Sequence, residues 1–585
     1  MMNTRGGKGW RGKRAVVKVR ASTSEASEAN ERVSSGSRAG TAPEAASSKH
    51  DGALVIVGGG WGGLGVATAA ARSGTKMKVT LVDALPMYGP DGDGSRRTPT
   101  GKPFEAGHRG FWRDYPNIND VIENTIGVSQ DTVFTEFTTS AMYGPEGLEA
   151  TAPVFGADNL ASQLPSPIGQ VAATLSNFKR IPYTDLLSFA GLLLAMLDYK
   201  RDDATFEKYD RMTAHELFIR FGLSKRLVDD FLRPTLLVGL FKPPEELSAA
   251  VTMELLYYYA LAHTSSFDVR WMRSKSINEH MVVPLARVLV ESHGLRVLDA
   301  CRVERIVMAE NDAVNAVSYR DRGGNTGQIE NVSACVLAVG AKGMNAILRN
   351  SPELARCAPE LPLAASLGAI DVISVRLWLD TYVSTRTPAN VFSRSAALRG
   401  AGGTYFMLDQ LQSDYEAELW NGEAPQGSVL ACDFYGAGAL CLLSASELVN
   451  LLVRDLLPEA EPQFGGVRVV DSHVEKYPQS VSWFSPGSYR KRPTIRTSVE
   501  NIVCCGDWVR MEEREHGAKG LCQERAFVSG IQAFNELVRK GKVPDVSEEQ
   551  PVIPIREDEP QYTAGVALNR QFRSIFSPFD DVLLR

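Results

Sequence analysis

The segment that most restricts this chain is a glycine run directly after an apolar stretch. Gly58-Gly59-Gly60-Trp61-Gly62-Gly63 follows Ala53, Leu54, Val55, Ile56 and Val57. A continuous aliphatic run suits a strand buried on both faces. The pattern then predicts a helix through Leu64, Ala67 and Ala71 that stops near Gly74, and a second strand over residues 76–82 that ends on Asp83. Two parallel strands joined by a helix form a βαβ unit. In such a unit Gly58 permits the tight turn, Gly60 lets a phosphate approach the backbone, and Gly63 lets the helix lie on the strand. The N–H groups and positive dipole end of the helix favour an anion there. Asp83 stands twenty residues beyond Gly63, where a carboxylate takes ribose hydroxyls. Taken alone, this unit predicts a dinucleotide site and does not distinguish NAD from FAD.

A chain of 585 residues exceeds what one compact core organises, so at least two domains are expected. The net charge of -6 gives no reason to expect nucleic acid as a partner. All eight cysteines, from Cys301 to Cys522, lie in the second half, with no CxxC pair and no histidine at zinc-ligand spacing. They are expected as buried free thiols, with no metal centre. Residues 1–21 carry Arg5, Lys8, Arg11, Lys13, Arg14, Lys18 and Arg20 with no acid, and a Ser/Ala/Glu/Gly-rich stretch follows. This composition predicts a transit peptide and disordered linker over residues 1–50, processed near Ala21, and hence a chloroplast (plastid) location. A plain disordered tail has a similar composition.

Residues 84–103 read as loop, and residues 180–300 as mainly helical. Residues 186–197 are unusually apolar but too short to span a bilayer. They are expected to form a core helix; the alternative is a segment dipping into one leaflet, with Lys179, Arg180, Lys200 and Arg201 near anionic lipid heads. Short strands are expected at residues 296–298, 302–308 and 334–339. A second sheet, including residues 370–379 and 429–434, is expected within 355–490. Residues 501–505 read as a last buried strand. A helix should then run from Cys522 to about Lys540, with Phe527, Val528, Ile531, Phe534 and Val538 on one face and Gly541 as its stop.

The remote end of the chain completes the pattern. Gly506-Asp507-Trp508 follows the last apolar strand, and Gln523-Glu524-Arg525-Ala526 opens the helix. A βαβ unit completed by a distant strand–GD–helix resembles the flavin amine oxidase and carotenoid desaturase superfamily. The residues Glu105, Gly107, Phe111, Tyr115, Pro116 and Asn117 are similar to the E-x-G-x-H-x-F-x-x-x-Y-P-N segment of plant and cyanobacterial phytoene and zeta-carotene desaturases, with Arg109 where that family has its histidine. Gly94, Arg96, Arg97 and Thr98 resemble the superfamily's GGR-x-x-[ST] stretch.

This resemblance implies an α/β fold: a discontinuous Rossmann-like FAD-binding domain of the GR2 type, an inserted α+β substrate domain and a helical subdomain. The FAD-binding parts are expected at residues 51–120, 266–350 and 491–542. The helical/substrate region is expected at 121–265, the substrate sheet at 351–490 and a C-terminal tail at 543–585. The implied cofactor-binding residues are Gly58, Gly60, Gly63, Asp83, Arg96, Val303, Gly506, Asp507, Glu524 and Ala526. His108 and Arg109 are weak catalytic candidates, and a satisfied structural histidine is an equal reading of His108. No Ser/His/Asp triad or metal cluster is legible, and hydride transfer to flavin N5 requires neither.

The implied reaction is desaturation or isomerisation of an apolar carotenoid or related prenyl lipid, with a quinone as acceptor and peripheral membrane contact. Residues 251–261 would either line an apolar tunnel or pack as ordinary helix. Two alternatives stand beside this reading: a soluble flavin oxidase of amines or other small polar substrates, and a non-catalytic flavoprotein scaffold.

Overall fold

The computed structural model of the chain describes residues 52–86, 96–156, 181–261 and 263–575. The basic N-terminal segment, Gly94, Lys179 and Arg180 lie outside the described residues. The fold is mixed α/β. Its first layer is a five-stranded parallel sheet in the spatial order Ile502–Cys504, Val332–Leu337, Ala53–Val57, Lys78–Val82, Arg296–Leu298. Val55 pairs with Cys335 on one side and Thr80 on the other, and Leu337 pairs with Cys504. The sheet interior is aliphatic: Leu54, Val55, Ile56, Leu81 and Val336 are buried. Both faces of a parallel sheet are covered, which is why these strands read as unbroken apolar runs.

Helix Trp61–Ser73 ends on Gly74 in the left-handed conformation, as the sequence suggests. It packs on the C-terminal helix Gln523–Arg539, which starts and stops where expected. Their backbones touch: a Cβ on Gly65 would sit 2.1 Å from the Phe527 carbonyl oxygen, and one on Gly530 would sit 2.0 Å from that of Gly62. A three-stranded antiparallel sheet, Cys301–Met308, Val314–Asp321 and Thr326–Ile329, is inserted before Val332–Leu337.

The second large layer is a seven-stranded sheet in the order Val469–Ser482, Ala369–Leu379, Val429–Tyr435, Gly402–Met407, Ala389–Phe392, Ser140–Gly144, Gly147–Ala152. All its pairings are antiparallel except Ala389–Phe392 with Ser140–Gly144. Alternation divides its faces. Val375, Leu377, Tyr405, Cys432 and Phe434 enter an apolar core, whereas Ser374, Arg376, Thr404 and Asp433 point the other way and are also buried.

Between these sheets the chain is largely helical. Residues 186–197 do not form one helix: Tyr183–Leu187 and Phe189–Asp198 are separated at Ser188. The Ser188 hydroxyl caps the first helix through the Asp185 carbonyl. Leu192, Ala195 and Met196 are core, while Tyr183 and Leu187 are exposed. Arg201 is not a lipid-facing cation; it forms an ion pair with buried Glu254. Residues 251–261 pack as helix in the core. No helix among the described residues is long and apolar enough to cross a membrane.

The stretch expected as a tail is docked instead. Arg556 pairs with Asp114 at 2.6 Å, the Tyr257 hydroxyl donates to Asp558 at 2.6 Å, and Ile553 N–H donates to Asn117 at 2.9 Å. Helix Pro560–Ile575 follows and packs on Phe189–Asp198. All eight cysteines are free thiols, and six of them are buried.

Candidate functional site

The glycine turn is built as its sequence suggests. Gly58 has φ +107°, and a Cβ there would meet the Ala338 carbonyl oxygen at 2.4 Å. A Cβ on Gly63 would lie 1.9 Å from the Gly58 carbonyl oxygen, so helix and turn can approach only without a side chain. Gly60 differs: it is exposed, and a Cβ there would meet nothing within 4 Å. It N-caps the helix with no side chain, leaving a cradle bordered by the first-turn N–H groups. Asp83 follows the second strand. Its Oδ2 accepts the Gly59 N–H and its Oδ1 accepts the Leu85 N–H at 2.7 Å, which ties strand end to turn.

The remote motif arrives at the same place. Gly506, with φ +131°, donates its N–H to the Ser529 hydroxyl at 2.8 Å. A Cβ on Gly62 would lie 3.1 Å from Cys505 Sγ and 3.2 Å from the Gly506 nitrogen, so the two turns are in contact. Burial pushes the Asp507 carboxyl up to about 6, against the opposing pull of Arg525 and Arg492.

Arg525, which is absent from the expected cofactor residues, organises this corner. Its Nε donates to the Asp507 carbonyl at 3.1 Å, its Nη2 to the Val509 carbonyl at 2.7 Å, and its guanidinium pairs with Glu515. The available signal was a cation three residues before Val528, beside the apolar stripe of the helix.

Two of the expected cofactor residues are engaged within the protein, Glu524 by its side chain and Ala526 by its backbone N–H. The Glu524 carboxylate is fully buried and saturated by protein: Oε1 accepts the Asn117 N–H at 2.8 Å and the Asn117 amide at 2.7 Å, and Oε2 accepts the Ile118 N–H at 3.0 Å. It caps helix Pro116–Asp120 from a distant segment and has no side-chain role toward a ligand. The Ala526 N–H is spent on the Cys522 carbonyl at 3.0 Å, inside the helix ladder. The Arg525 N–H meets the Cys522 thiol, so the Gln523 and Glu524 N–H groups are the first-turn donors left for a ligand.

Val303 is buried in strand Cys301–Met308 opposite Tyr319, with a register shift between it and Arg305. Arg96 lies opposite Phe104 in a short hairpin, and its side chain lies outside what is described.

The segment carrying Glu105 and Asn117 runs from the second sheet to the start of helix Gln523–Arg539. At one end the His108 N–H donates to Asp433 at 2.9 Å; near the other the Gln523 amide donates to the Gly110 carbonyl at 3.1 Å. The His108 ring stacks on Trp271 at 5.4 Å and tilts against Phe406 at 4.9 Å. Burial first, then Arg376, lowers its pKa to about 3, so the imidazole is neutral at pH 7. Arg109 is exposed and donates to the Ala106 carbonyl at 3.2 Å. Neither residue lies in the contact between the two glycine turns. Glu105 accepts the Ile277 N–H at 2.8 Å, and burial pushes its carboxyl up to about 7. Phe111, Tyr115, Tyr258 and Tyr259 form a dry aromatic wall close to Cys522.

The residues present therefore fit a dinucleotide: an open glycine cradle, a helix N-terminus, and two further turn elements brought to it from the far end of the chain. The model of the family described as flavin containing amine oxidoreductase matches residues 62–534. The chain is 23% identical over 472 residues, covering 78% of this chain and 74% of the relative, to 15-cis-phytoene desaturase, chloroplastic/chromoplastic, of Solanum lycopersicum. It is 24% identical over 529 residues, 83% of this chain and 88% of the relative, to carotenoid phi-ring synthase of Streptomyces griseus. Among solved structures, putrescine oxidase bound to putrescine matches with TM-score 0.56 and 14% identity, covering 84% of this chain and 99% of that one. Cyclohexylamine oxidase of Brevibacterium oxydans matches with TM-score 0.54 and 13% identity, covering 83% and 99%. With the family model matched over most of its length and the cradle formed, this chain belongs to the flavin containing amine oxidoreductases and is a flavin-dependent oxidoreductase.

Proposed function

We propose that the flavin is FAD and that the enzyme desaturates or isomerises a carotenoid or related prenyl lipid in a plastid. The observation that carries the cofactor reading is the contact of Gly62 with Cys505 and Gly506, which joins both ends of the chain at one cradle. In this reading the Gly58, Gly60 and Gly63 backbone and Arg96 receive the pyrophosphate, Asp83 the ribose, and the Val303 backbone the adenine. Gly506 and Asp507 hold the ribityl chain, and the Gln523 and Glu524 N–H groups face the ring oxygen where negative charge collects. When bound, the flavin supplies a hydride acceptor. The chain supplies position and dryness: Tyr115, Tyr258 and Tyr259 are buried and exclude water, and Glu524 fixes the start of helix Pro116–Asp120 against helix Gln523–Arg539.

The substrate class is supported by the desaturase and phi-ring synthase relatives, and lipid contact by exposed Tyr183 and Leu187. A quinone is the proposed acceptor. Incubation of FAD-loaded protein with carotenoid precursors and a quinone should change the polyene absorption spectrum; an unchanged spectrum with every precursor rejects the substrate class.

A second reading, oxidation of an amine or another small polar molecule, is supported by the buried polar face Ser374, Arg376, Thr404 and Asp433 of the second sheet. It expects an amine to bleach the flavin with release of peroxide.

A further inference from the structure

One side chain at the cradle belongs to neither glycine turn yet touches both halves of the site. Gln523 is the first residue of helix Gln523–Arg539, and its amide is engaged at both ends. Its Oε1 accepts the Trp61 indole N–H at 3.0 Å, and its Nε2 donates to the Gly110 carbonyl at 3.1 Å. Trp61 is the first residue of its own helix, directly after Gly60. Its ring also stands edge-on to Phe527, with centroids 6.3 Å apart and planes at 83°. The indole therefore spans the first turn of the facing helix, from Gln523 to Phe527. The partly open side of this corner runs through Gly60, Trp61, Gln523 and Gly110, whereas Gly62, Gly63, Cys522 and Glu524 are buried.

Among the described residues, no protein acceptor takes the Gln523 and Glu524 N–H groups, while the next two N–H groups are spent on Cys522. The turn that carries these free donors is held from two sides. On one, the Glu524 carboxylate is tied to Asn117 and Ile118. On the other, the Gln523 amide is tied to Trp61 and Gly110. The backbone contact of Gly65 with Phe527 sets the distance between the helices but leaves the direction of the first turn to these ties. Neutral, half-buried hydrogen bonds add little to folding stability. Their value at this place is orientation, because donors fixed before charge develops need no reorganisation when it does.

We propose that Gln523 is a positioning residue for the flavin, and that its bridge to Trp61 and Gly110 keeps the first-turn N–H groups directed at the ring oxygen where negative charge collects. This rests on the reading of that helix start as the ring-facing one. Fixed donors at the positive end of a helix favour the reduced, more negative ring over the oxidised one, so the bridge raises the reduction potential of the bound flavin.

The reduction potential of the flavin-loaded full chain, read by equilibrium titration against a reference dye, tests this. Gln523→Leu keeps an unbranched first carbon and similar bulk but removes both hydrogen bonds. It should lower the potential by about 30 mV, a tenfold loss of preference for reduced over oxidised flavin in a two-electron couple. Trp61→Phe keeps a ring beside Phe527 and removes only the indole N–H. It should shift the potential in the same direction, and it decides the matter if Gln523→Leu does not retain flavin. The double variant should fall no further than Gln523→Leu alone, because both residues act through one bridge. Gln523→Pro tests the helix assignment separately. Proline suits the first helical position after extended Cys522, and it removes the Gln523 N–H together with the amide. A lower potential with the proline variant alone would overturn the bridge and keep the helix assignment, whereas an unchanged potential in all three would remove both. Weaker flavin retention at unchanged potential in the leucine and phenylalanine variants would make the bridge a structural tie, and that too would overturn the proposal.

Discussion

At the residue scale, the chain places ionisable groups where burial works against their charge, and Asp507 is the informative case. Its carboxyl is raised from 3.8 to about 6, chiefly by burial. A folded pKa above the unfolded one means that the folded state holds its proton longer. Its contribution to stability is therefore complete below the ordinary aspartate value and is lost as pH rises through about 6. Asp507→Asn should then stabilise the ligand-free protein at pH 7 by on the order of 1–3 kcal/mol. The same change should weaken flavin retention, because an amide is a poorer acceptor for ribityl hydroxyls. Chemical denaturation across pH, with and without flavin, measures both; a variant that loses stability without ligand would contradict the assignment.

At the element scale, the site depends on how closely helices Trp61–Ser73 and Gln523–Arg539 approach. Glycine at their crossing lets backbone meet backbone, with Gly62 and Gly65 against Gly530 and Phe527. Gly530→Leu places side-chain atoms where the Gly62 carbonyl oxygen stands, 2.0 Å from the Cβ position. The expected cost is at least about 3 kcal/mol, with loss of bound flavin. Gly60→Ala is the matched control. Its φ of -69° suits any residue, and its Cβ would meet nothing, so thermal stability of the ligand-free protein should be unchanged while flavin retention falls. Thermal unfolding and flavin absorbance after dialysis separate the two variants. Loss of flavin from neither would show that the cradle does not carry the phosphates.

At the scale of the whole molecule, the strap formed by residues 549–575 closes over Asp114, Asn117 and Tyr257, which lie behind the aromatic wall. Burial raises the Asp114 carboxyl, but hydrogen bonds from Arg556 and Ser266 outweigh it and hold the group below the usual aspartate range. A depressed folded pKa stabilises above the unfolded value and is lost as pH falls through the folded one. Arg556→Ala should therefore cost about 1–2 kcal/mol at neutral pH, discounted because the arginine is half exposed, and nothing below the folded pKa of Asp114. Urea unfolding at pH 7 and at strongly acid pH tests this; an equal loss at both would assign the effect to packing of the arginine stem instead.

What the sequence determined by itself is local and periodic. The run before Gly58, the glycines, the helix that ends on Gly74 and the strand before Asp83 all follow from steric rules acting over a few residues, and so does the helix after Cys522. Tertiary structure alone decided the rest. Glu524 looks like a helix-start acid, yet its partners lie 406 and 407 residues away, and no local pattern encodes them. Residues 543–575 read as a tail because the apolar side chains that anchor them, such as Val543, Val552, Ile555 and Tyr562, are widely spaced, and the rest of the docking is side-chain pairing with Asp114, Tyr257 and Asn117. Arg376 alternates in step with apolar neighbours, and only the packing of the second sheet on the His108 segment sets its charge beside Glu105 and Asp433. Steric preference acts along the chain, whereas desolvation and charge pairing depend on which distant segments meet.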